Sequence, residues 1–250
     1  LDGAAMPGLE AVVDVVYNPD KTELILRAEE AGVPVAVGGL EMLVAQAVYA
    51  AEYFLDRKFE DAPAEIRRIT TALRRDTLNI ALIGMPSSGN TTLGKLLAKQ
   101  LGRTFVDLDD AIVKADGRSI PDIFAAEGED GFRAKETEQT ARFGKENRQL
   151  LSCGGGVVVT PANHDVFREA GFVVYLEVTA DEAASRISDT STRPLFQNLE
   201  AARARCEERL PLYEAVADVR VSTAGKSVPA ITREVQRILE KEGILCPQQR

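Results

Sequence analysis

The chain predicts an α/β fold in which a five-stranded parallel sheet lies between two layers of helices. Three observations carry this. From residue 78 to residue 241, short apolar runs alternate with amphipathic stretches, as strands wrapped by helices should. A glycine- and serine-rich loop, Gly84-Met85-Pro86-Ser87-Ser88-Gly89, leaves the first of those runs and opens onto a helical pattern. Three consecutive glycines, Gly154, Gly155 and Gly156, follow a second buried run, where missing side chains let a ligand approach the backbone.

Taken in order, residues 11–17 predict a strand, 22–31 a helix, 33–37 a short strand and 40–54 a helix, a partial Rossmann-type segment too small to build a comfortable core alone. Residues 56–76 are charged, carry Pro63, and predict a helical linker. The main sheet is predicted from strands 79–83, 104–107, 149–153, 172–177 and 218–222. Helices are expected at 90–101, 129–145, 161–170, 180–187, 200–216 and 228–242. The resulting plan is 1–60 as an N-terminal segment, 61–76 as a linker, 77–243 as the main domain and 244–250 as a tail.

Composition narrows the chemistry. With 250 residues and 45% hydrophobic content the chain can bury a real core. Thirty basic against 39 acidic residues give a net charge of -9, which disfavours nucleic acid and anionic membrane as partners, so any bound anion must meet a local pocket. Cys153, Cys206 and Cys246 lack the paired spacing of a zinc or redox motif and are expected as reduced thiols in a cytosol. His164 is the single histidine, which argues against histidine acid–base chemistry and multi-histidine metal sites. No apolar run is long enough to span a bilayer, and the first residues lack a signal-peptide pattern. The start at Leu1, without methionine, gives the expectation of a piece of something longer.

The loop 84–92 follows the phosphate-binding pattern of glycine, four residues, glycine-lysine-serine/threonine, except that Asn90 occupies the lysine position. Gly84 and Gly89 let successive N–H groups of Ser87, Ser88, Asn90 and Thr92 face a phosphate, and Thr91 supplies a hydroxyl for Mg²⁺. After the second strand, Asp107 and Asp109 occupy alternating positions and should point the same way, one toward metal-bound water and the other toward a substrate hydroxyl. The alternative is that Asp109 or Asp110 caps a following helix. Arg133 sits near a helix start, and Arg186, Arg193 and Arg209 lie in segments that could carry positive charge onto transferring phosphates.

In this order and spacing the loop, the Asp-x-Asp, Gly131-Phe132-Arg133, the triple glycine, Arg193-Pro194-Leu195 and Arg209-Leu210-Pro211-Leu212-Tyr213 make residues 78–242 resemble shikimate kinase. The resemblance implies a nucleoside-monophosphate-kinase type of fold with a moving lid. It also implies transfer of the γ-phosphoryl of ATP to the 3-hydroxyl of shikimate, on the route to chorismate and aromatic amino acids. Thr91 and, through water, Asp107 would hold Mg²⁺. Asp109 would orient the 3-hydroxyl and receive its proton. Arg133 and Arg209 would clamp the carboxylate, Gly154, Gly155 and Gly156 would offer backbone groups to the ring, Arg193 would close onto the γ-phosphate, and Arg186 would lie over the nucleotide. The departure is Asn90, where the family has a lysine bridging the β- and γ-phosphates. It leaves two expectations: a kinase of impaired turnover, or a non-catalytic pseudokinase that binds nucleotide or shikimate as a scaffold.

Residues 1–60 resemble the C-terminal end of shikimate dehydrogenase, through Asp14-Val15-Val16-Tyr17-Asn18-Pro19, Thr22 and Gly38-Gly39-Leu40-Glu41-Met42-Leu43-Val44-Ala45-Gln46. In that resemblance Tyr17 and Gln46 match positions at the shikimate site, and Gly38 and Met42 match positions near the nicotinamide. The catalytic lysine and aspartate of that family are not in this segment. The combination implies a fused polypeptide with a dehydrogenase domain upstream.

Overall fold

The computed structural model describes residue 6 and residues 8–186 and 199–245. It divides into two units, Leu1–Leu78 with Arg168–Ala170, and Asn79–Phe167 with Gly171–Arg250.

In the first unit, β1 (Ala11–Val13) pairs in parallel with β2 (Val35–Val37), Ala11 opposite Val35 and Val13 opposite Val37. The strand expected over 11–17 stops at Val13 because the chain turns at Asp14, whose Oδ1 accepts from the Val16 N–H at 3.0 Å. Its Oδ2 accepts from the Thr22 hydroxyl at 2.6 Å, and these two hydrogen bonds hold the Asp14 carboxyl below the usual carboxylate range. Thr22 in turn caps α1 (Glu23–Glu30), which buries Ile25, Leu26 and Ala28. α2 (Leu40–Phe54) presents Val44 and Val48 to Ala62 and Ile66 of α3 (Ala62–Thr77), which starts at the Asp61 cap. The stretch expected as a linker is thus almost wholly helix, with an apolar stripe packed on α2.

The second unit is built on a sheet of order β4-β5-β3-β6-β7, parallel throughout. These strands are β3 (Asn79–Ile83), β4 (Thr104–Asp107), β5 (Gln149–Ser152), β6 (Gly171–Glu177) and β7 (Val219–Ser222). Every residue of β3 is buried, as a central parallel strand covered on both faces must be. Alternate side chains divide between the two faces. Ile80 and Leu82 join Leu93 and Leu97 of α4 (Asn90–Leu101) and Val235 and Leu239 of α10 (Val228–Lys241). Ala81 and Ile83 join Phe167 of α7 (Pro161–Ala170) and Tyr213 and Val216 of α9 (Leu199–Val216). At the base of β3, buried Asn79 donates to the carbonyls of Gly144 (3.2 Å) and Glu146 (2.8 Å) and accepts from the Gln149 N–H (2.9 Å).

Two helices depart from expectation. α5 (Leu108–Asp116) follows β4 without a loop, burying Leu108 and Ile112. α6 spans Ile120–Gly144 but breaks at Gly128, with φ 71° and ψ -169°, so the helix expected from 129 is present and the addition is the stretch 120–127 ahead of it, which Ser119 caps and Pro121 fits at its first turn. α8 (Ala180–Ser185) ends at Arg186, and the remainder of its expected span lies outside the described residues. Of the expected tail, Ile244 and Leu245 pack against the α4 and α10 side of the sheet, and the rest lies outside the described residues. Among the described residues no helix is long and apolar enough to cross a membrane.

The strand order decides where a ligand can sit. β3 and β5 are neighbours, yet the chain leaves β3 toward β4 on one side and leaves β5 toward β6 on the other. The crevice between their carboxyl ends is the switch point at which parallel α/β sheets bind ligands.

Candidate active site

Two loops meet at that crevice. The first leaves β3 at Gly84, whose φ is 154° and where a Cβ would meet the Leu176 carbonyl at 2.5 Å. Ser87 and Gly89 take left-handed conformations, φ 69° and 102°, and α4 begins at Asn90. The loop thereby curls around the N-terminus of α4, whose free N–H groups and dipole favour an anion. With Asp107, Asp109, Ser152, Gly154, Gly155, Arg186 and Lys226 it lines a cavity of about 410 Å³.

Asn90 is tied at both ends of its carboxamide. Nδ2 donates to the Cys153 carbonyl at 3.1 Å, and Oδ1 accepts from the Ser88 hydroxyl at 3.1 Å. Lys95, one turn further along α4, lies over the Phe105 ring, its Nζ 5.8 Å from the centroid, and does not line the cavity. Thr91 Oγ1 donates to Asp107 Oδ2 at 2.8 Å, and Ser152 Oγ lies 3.3 Å from Thr91 Oγ1 and donates to the same carboxylate oxygen at 3.2 Å. Three oxygen-bearing side chains converge there.

The two aspartates reach the cavity by a different route from the one expected. The ladder ends at Asp107, so strand alternation does not orient Asp109; it sits in the first turn of α5. The capping role falls to Asp107, whose Oδ1 accepts from the Asp109 N–H at 3.2 Å, and not to Asp109 or Asp110. Both carboxylates nevertheless line the cavity.

The second loop is the glycine run, and each glycine faces a different neighbour. A Cβ at Gly154 would sit 2.9 Å from Asp109 Oδ1 and 3.3 Å from Glu136 Oε1; at Gly155 it would meet Pro86 Cδ at 2.5 Å; at Gly156 it would fall 2.2 Å from Arg133 Nη2. The Gly155 carbonyl accepts from Arg209 Nη1 at 2.9 Å and from the Tyr213 hydroxyl. The run therefore touches the phosphate loop, the Asp109 carboxylate and two arginines within three residues.

Arg133 projects from α6 and donates to Glu136 Oε2 (2.7 Å) and Glu129 Oε1 (3.0 Å). Burial works against its charge, but the Glu136 carboxylate beside it wins and holds the guanidinium above its usual range. Its Nε is buried and, among the described residues, lacks a hydrogen-bond partner. Glu136 is 1% exposed, and burial pushes its carboxyl up, against the pull of Arg133. Sequence reasoning missed Glu136; its i,i+3 spacing from Arg133 is the signal that could have found it. Arg209, 7% exposed on α9, meets the same run from the opposite element. Burial pushes the Cys153 thiol well up, which keeps it neutral and inert.

At the far end of the cavity Arg186 donates to Thr223 Oγ1 (3.1 Å), the Thr223 carbonyl (2.9 Å), Glu182 Oε1 (2.8 Å) and, more weakly, the Ser87 carbonyl (3.4 Å). Thr223 and Lys226 follow the last strand and were also missed; the rule that ligands gather at strand ends points to them. Arg193 lies outside the described residues. In the N-terminal unit Gly39 packs on the Val15 carbonyl, where a Cβ would come within 2.2 Å, and Tyr17, Met42 and Gln46 are exposed. Among the described residues no cluster of three or more histidine, cysteine or acidic side chains forms a metal cage.

Comparison with known proteins agrees with this geometry. The shikimate kinase family pattern matches residues 86–240. Shikimate kinase of Symbiobacterium thermophilum is 39% identical over 172 residues, spanning 66% of this chain and 98% of that protein. The enzyme of Francisella tularensis subsp. novicida is 41% identical over 174 residues, spanning 68% and 98%. Among solved structures, shikimate kinase from Acinetobacter baumannii in complex with shikimate superposes with a TM-score of 0.65 at 30% identity, covering 69% of this chain and 98% of that one. Shikimate kinase from Aquifex aeolicus gives 0.60 at 30% identity, covering 66% and 98%. With the phosphate loop, the glycine run and two arginines gathered at one switch point, and relatives aligned over nearly their whole length, this chain belongs to the shikimate kinase family.

Proposed function

We propose that this chain is an ATP-dependent shikimate kinase that moves the γ-phosphoryl group of ATP to the 3-hydroxyl of shikimate, giving shikimate 3-phosphate and ADP. The observation that carries the reading is the glycine run, which has the phosphate loop against Gly155, Asp109 against Gly154 and Arg133 against Gly156. Donor and acceptor subsites therefore share one backbone segment, and catalysis by positioning needs just that.

The roles follow from chemistry. Gly84, Ser87, Ser88, Gly89, Asn90, Thr91 and Thr92 cradle the phosphates, and Arg186 lies over the nucleotide. Arg133, with an unused Nε, and Arg209 clamp the shikimate carboxylate, a planar anion suited to guanidinium forks. Gly154, Gly155 and Gly156 border the ring. Asp109 takes the proton of the 3-hydroxyl as its oxygen bonds to the γ-phosphorus and the bond to the ADP oxygen breaks. The resemblance to the family assigns Arg193 to the γ-phosphate. Thr91 and Asp107, with Ser152 beside them, are hard oxygen donors of the kind a hard divalent cation takes, so they would hold Mg²⁺. When bound, that ion neutralises charge on the transferred phosphoryl group.

Asn90 favours a second reading, a pseudokinase that binds ligands without turnover, because its neutral carboxamide is already tied to protein atoms. Loss of preorganised charge at the phosphoryl group lowers rate on the order of 10²- to 10³-fold. The deciding assay couples ADP release to shikimate and Mg-ATP. Shikimate-dependent ADP release that disappears in Asp109→Asn supports the kinase; saturable binding of both ligands without any release supports the pseudokinase.

We further infer that residues 1–60 are the end of a shikimate dehydrogenase-like domain in a fused, cytoplasmic polypeptide, with 61–76 leading to the kinase domain 77–243. The short parallel pair β1-β2 supports this, since parallel sheets are ordinarily wider and covered on both faces. Reading the coding sequence upstream tests it: no dinucleotide-binding motif there would remove the inference.

A further inference from the structure

We propose that Tyr213 is a positioning residue that aims the Arg209 guanidinium at the acceptor carboxylate. The proposal rests on the kinase reading above and names what holds one of its two carboxylate clamps.

Arg209 and Tyr213 stand four residues apart on α9, so they share one face of the helix, and both donate to the Gly155 carbonyl. The flanking carbonyls of the glycine run are held by backbone: that of Gly154 accepts from the Val157 N–H at 3.1 Å and that of Gly156 from the Val159 N–H at 2.9 Å. The Gly155 carbonyl has two lone pairs and takes two side-chain donors instead. With glycine on both sides, that peptide is free to tilt, so the two donors set its angle. The peptide is planar, and beyond it the Gly156 backbone lies against the Arg133 guanidinium. One peptide thus stands between the two arginines.

Tyr213 is the fixed member of the pair. Its side chain is fully buried, with the ring stacked on Tyr175 at 4.9 Å between centroids. Burial pushes its phenol well up, so the hydroxyl keeps its proton and stays a donor. The Met85 sulfur, 3.5 Å from that hydroxyl, is a weak acceptor and does not compete with the carbonyl. Arg209 is the adaptable member, a long side chain next to Pro211, which removes a rung of the helix ladder. With Nη1 bonded to a carbonyl that Tyr213 holds still, the rest of the guanidinium fork is presented in one orientation. Without the hydroxyl, carbonyl and fork shift together.

Tyr213→Phe keeps the stacked ring and removes only the hydroxyl. Calorimetric titration of the full chain should show its shikimate Kd raised about five- to tenfold. The Kd of a non-hydrolysable ATP analogue with Mg²⁺ should change by less than about twofold, a separation that a general loss of structure would not give. Arg209→Lys keeps the charge and loses the fork, so in that background Tyr213→Phe should raise the shikimate Kd by less than about twofold. A shikimate Kd in Tyr213→Phe within about twofold of native, an equal loss of nucleotide affinity, or an undiminished effect in Arg209→Lys overturns the proposal while leaving the kinase reading intact. Failure of the native chain to bind shikimate at all overturns both.

Discussion

The phosphate loop and the glycine run leave neighbouring strands of one sheet, yet they place charge in opposite ways. In the loop the geometry is made by backbone, through Gly84, Ser87 and Gly89, and the side chain that should bring charge is the neutral Asn90. In the run the backbone brings no charge, and buried side chains from distant elements supply it: Arg133 held by Glu136, and Arg209 held by the Gly155 carbonyl. A loop of this kind can lose its charge through one substitution without losing its shape. The cradle cannot do so at Arg133, whose guanidinium also fills the space against Gly156.

The sharpest way to break this contrast is Asp109→Asn, which removes the carboxylate proposed above as the proton acceptor. Shikimate-dependent ADP release should fall on the order of 10²- to 10⁴-fold, with nucleotide affinity retained by fluorescence titration. Next comes Asn90→Lys, which restores charge to a loop whose shape is already correct. Steady-state kcat should rise on the order of 10²- to 10³-fold; an unchanged kcat would mean that the loop is not short of charge.

Gly156→Ala tests the other side of the comparison. Its new methyl must displace a guanidinium that Glu136 and Glu129 hold, so kcat/KM for shikimate should drop about 10²-fold while the KM for ATP stays within error. A drop in both would show the two regions to be less separable than their chemistry suggests. The smallest effect concerns pH. Burial holds the Glu136 carboxyl above its ordinary value of 4.5, so the folded state keeps that proton more tightly than the unfolded chain. Its contribution is complete below the ordinary value and is lost as pH rises through the raised one. Chemical denaturation of the native chain against Glu136→Gln, from pH 4 upward, should show the native chain losing relative stability over that window.

The places where sequence and structure part company are informative. The strands of the main sheet were legible because a buried parallel strand is a short apolar run and little else, and β3, β4 and β6 fall within a residue of expectation. α5 was missed because its first residues, Leu108-Asp109-Asp110, carry the composition of a polar loop; the helix exists because Asp107 caps it and Leu108 and Ile112 have a core to enter. The alternation argument placed Asp109 on a strand, where the chain had already turned into a helix. Ser152 carried no local motif and emerged only from its partners Thr91 and Asp107.

By itself the sequence determined the parallel α/β plan, the phosphate loop with its neutral Asn90, and the glycine run, since each depends on backbone freedom or apolar periodicity that few residue types can supply. Only the tertiary structure decided that the Asn90 carboxamide reaches the Cys153 carbonyl, that Arg133 rests on Gly156 while Pro86 rests on Gly155, and that a buried Glu136 stands behind the arginine. Apart from the Arg133–Glu136 pair on one helix, those contacts join residues far apart in the chain, and their directions are set by strand order and helix packing, which no short stretch of chain encodes.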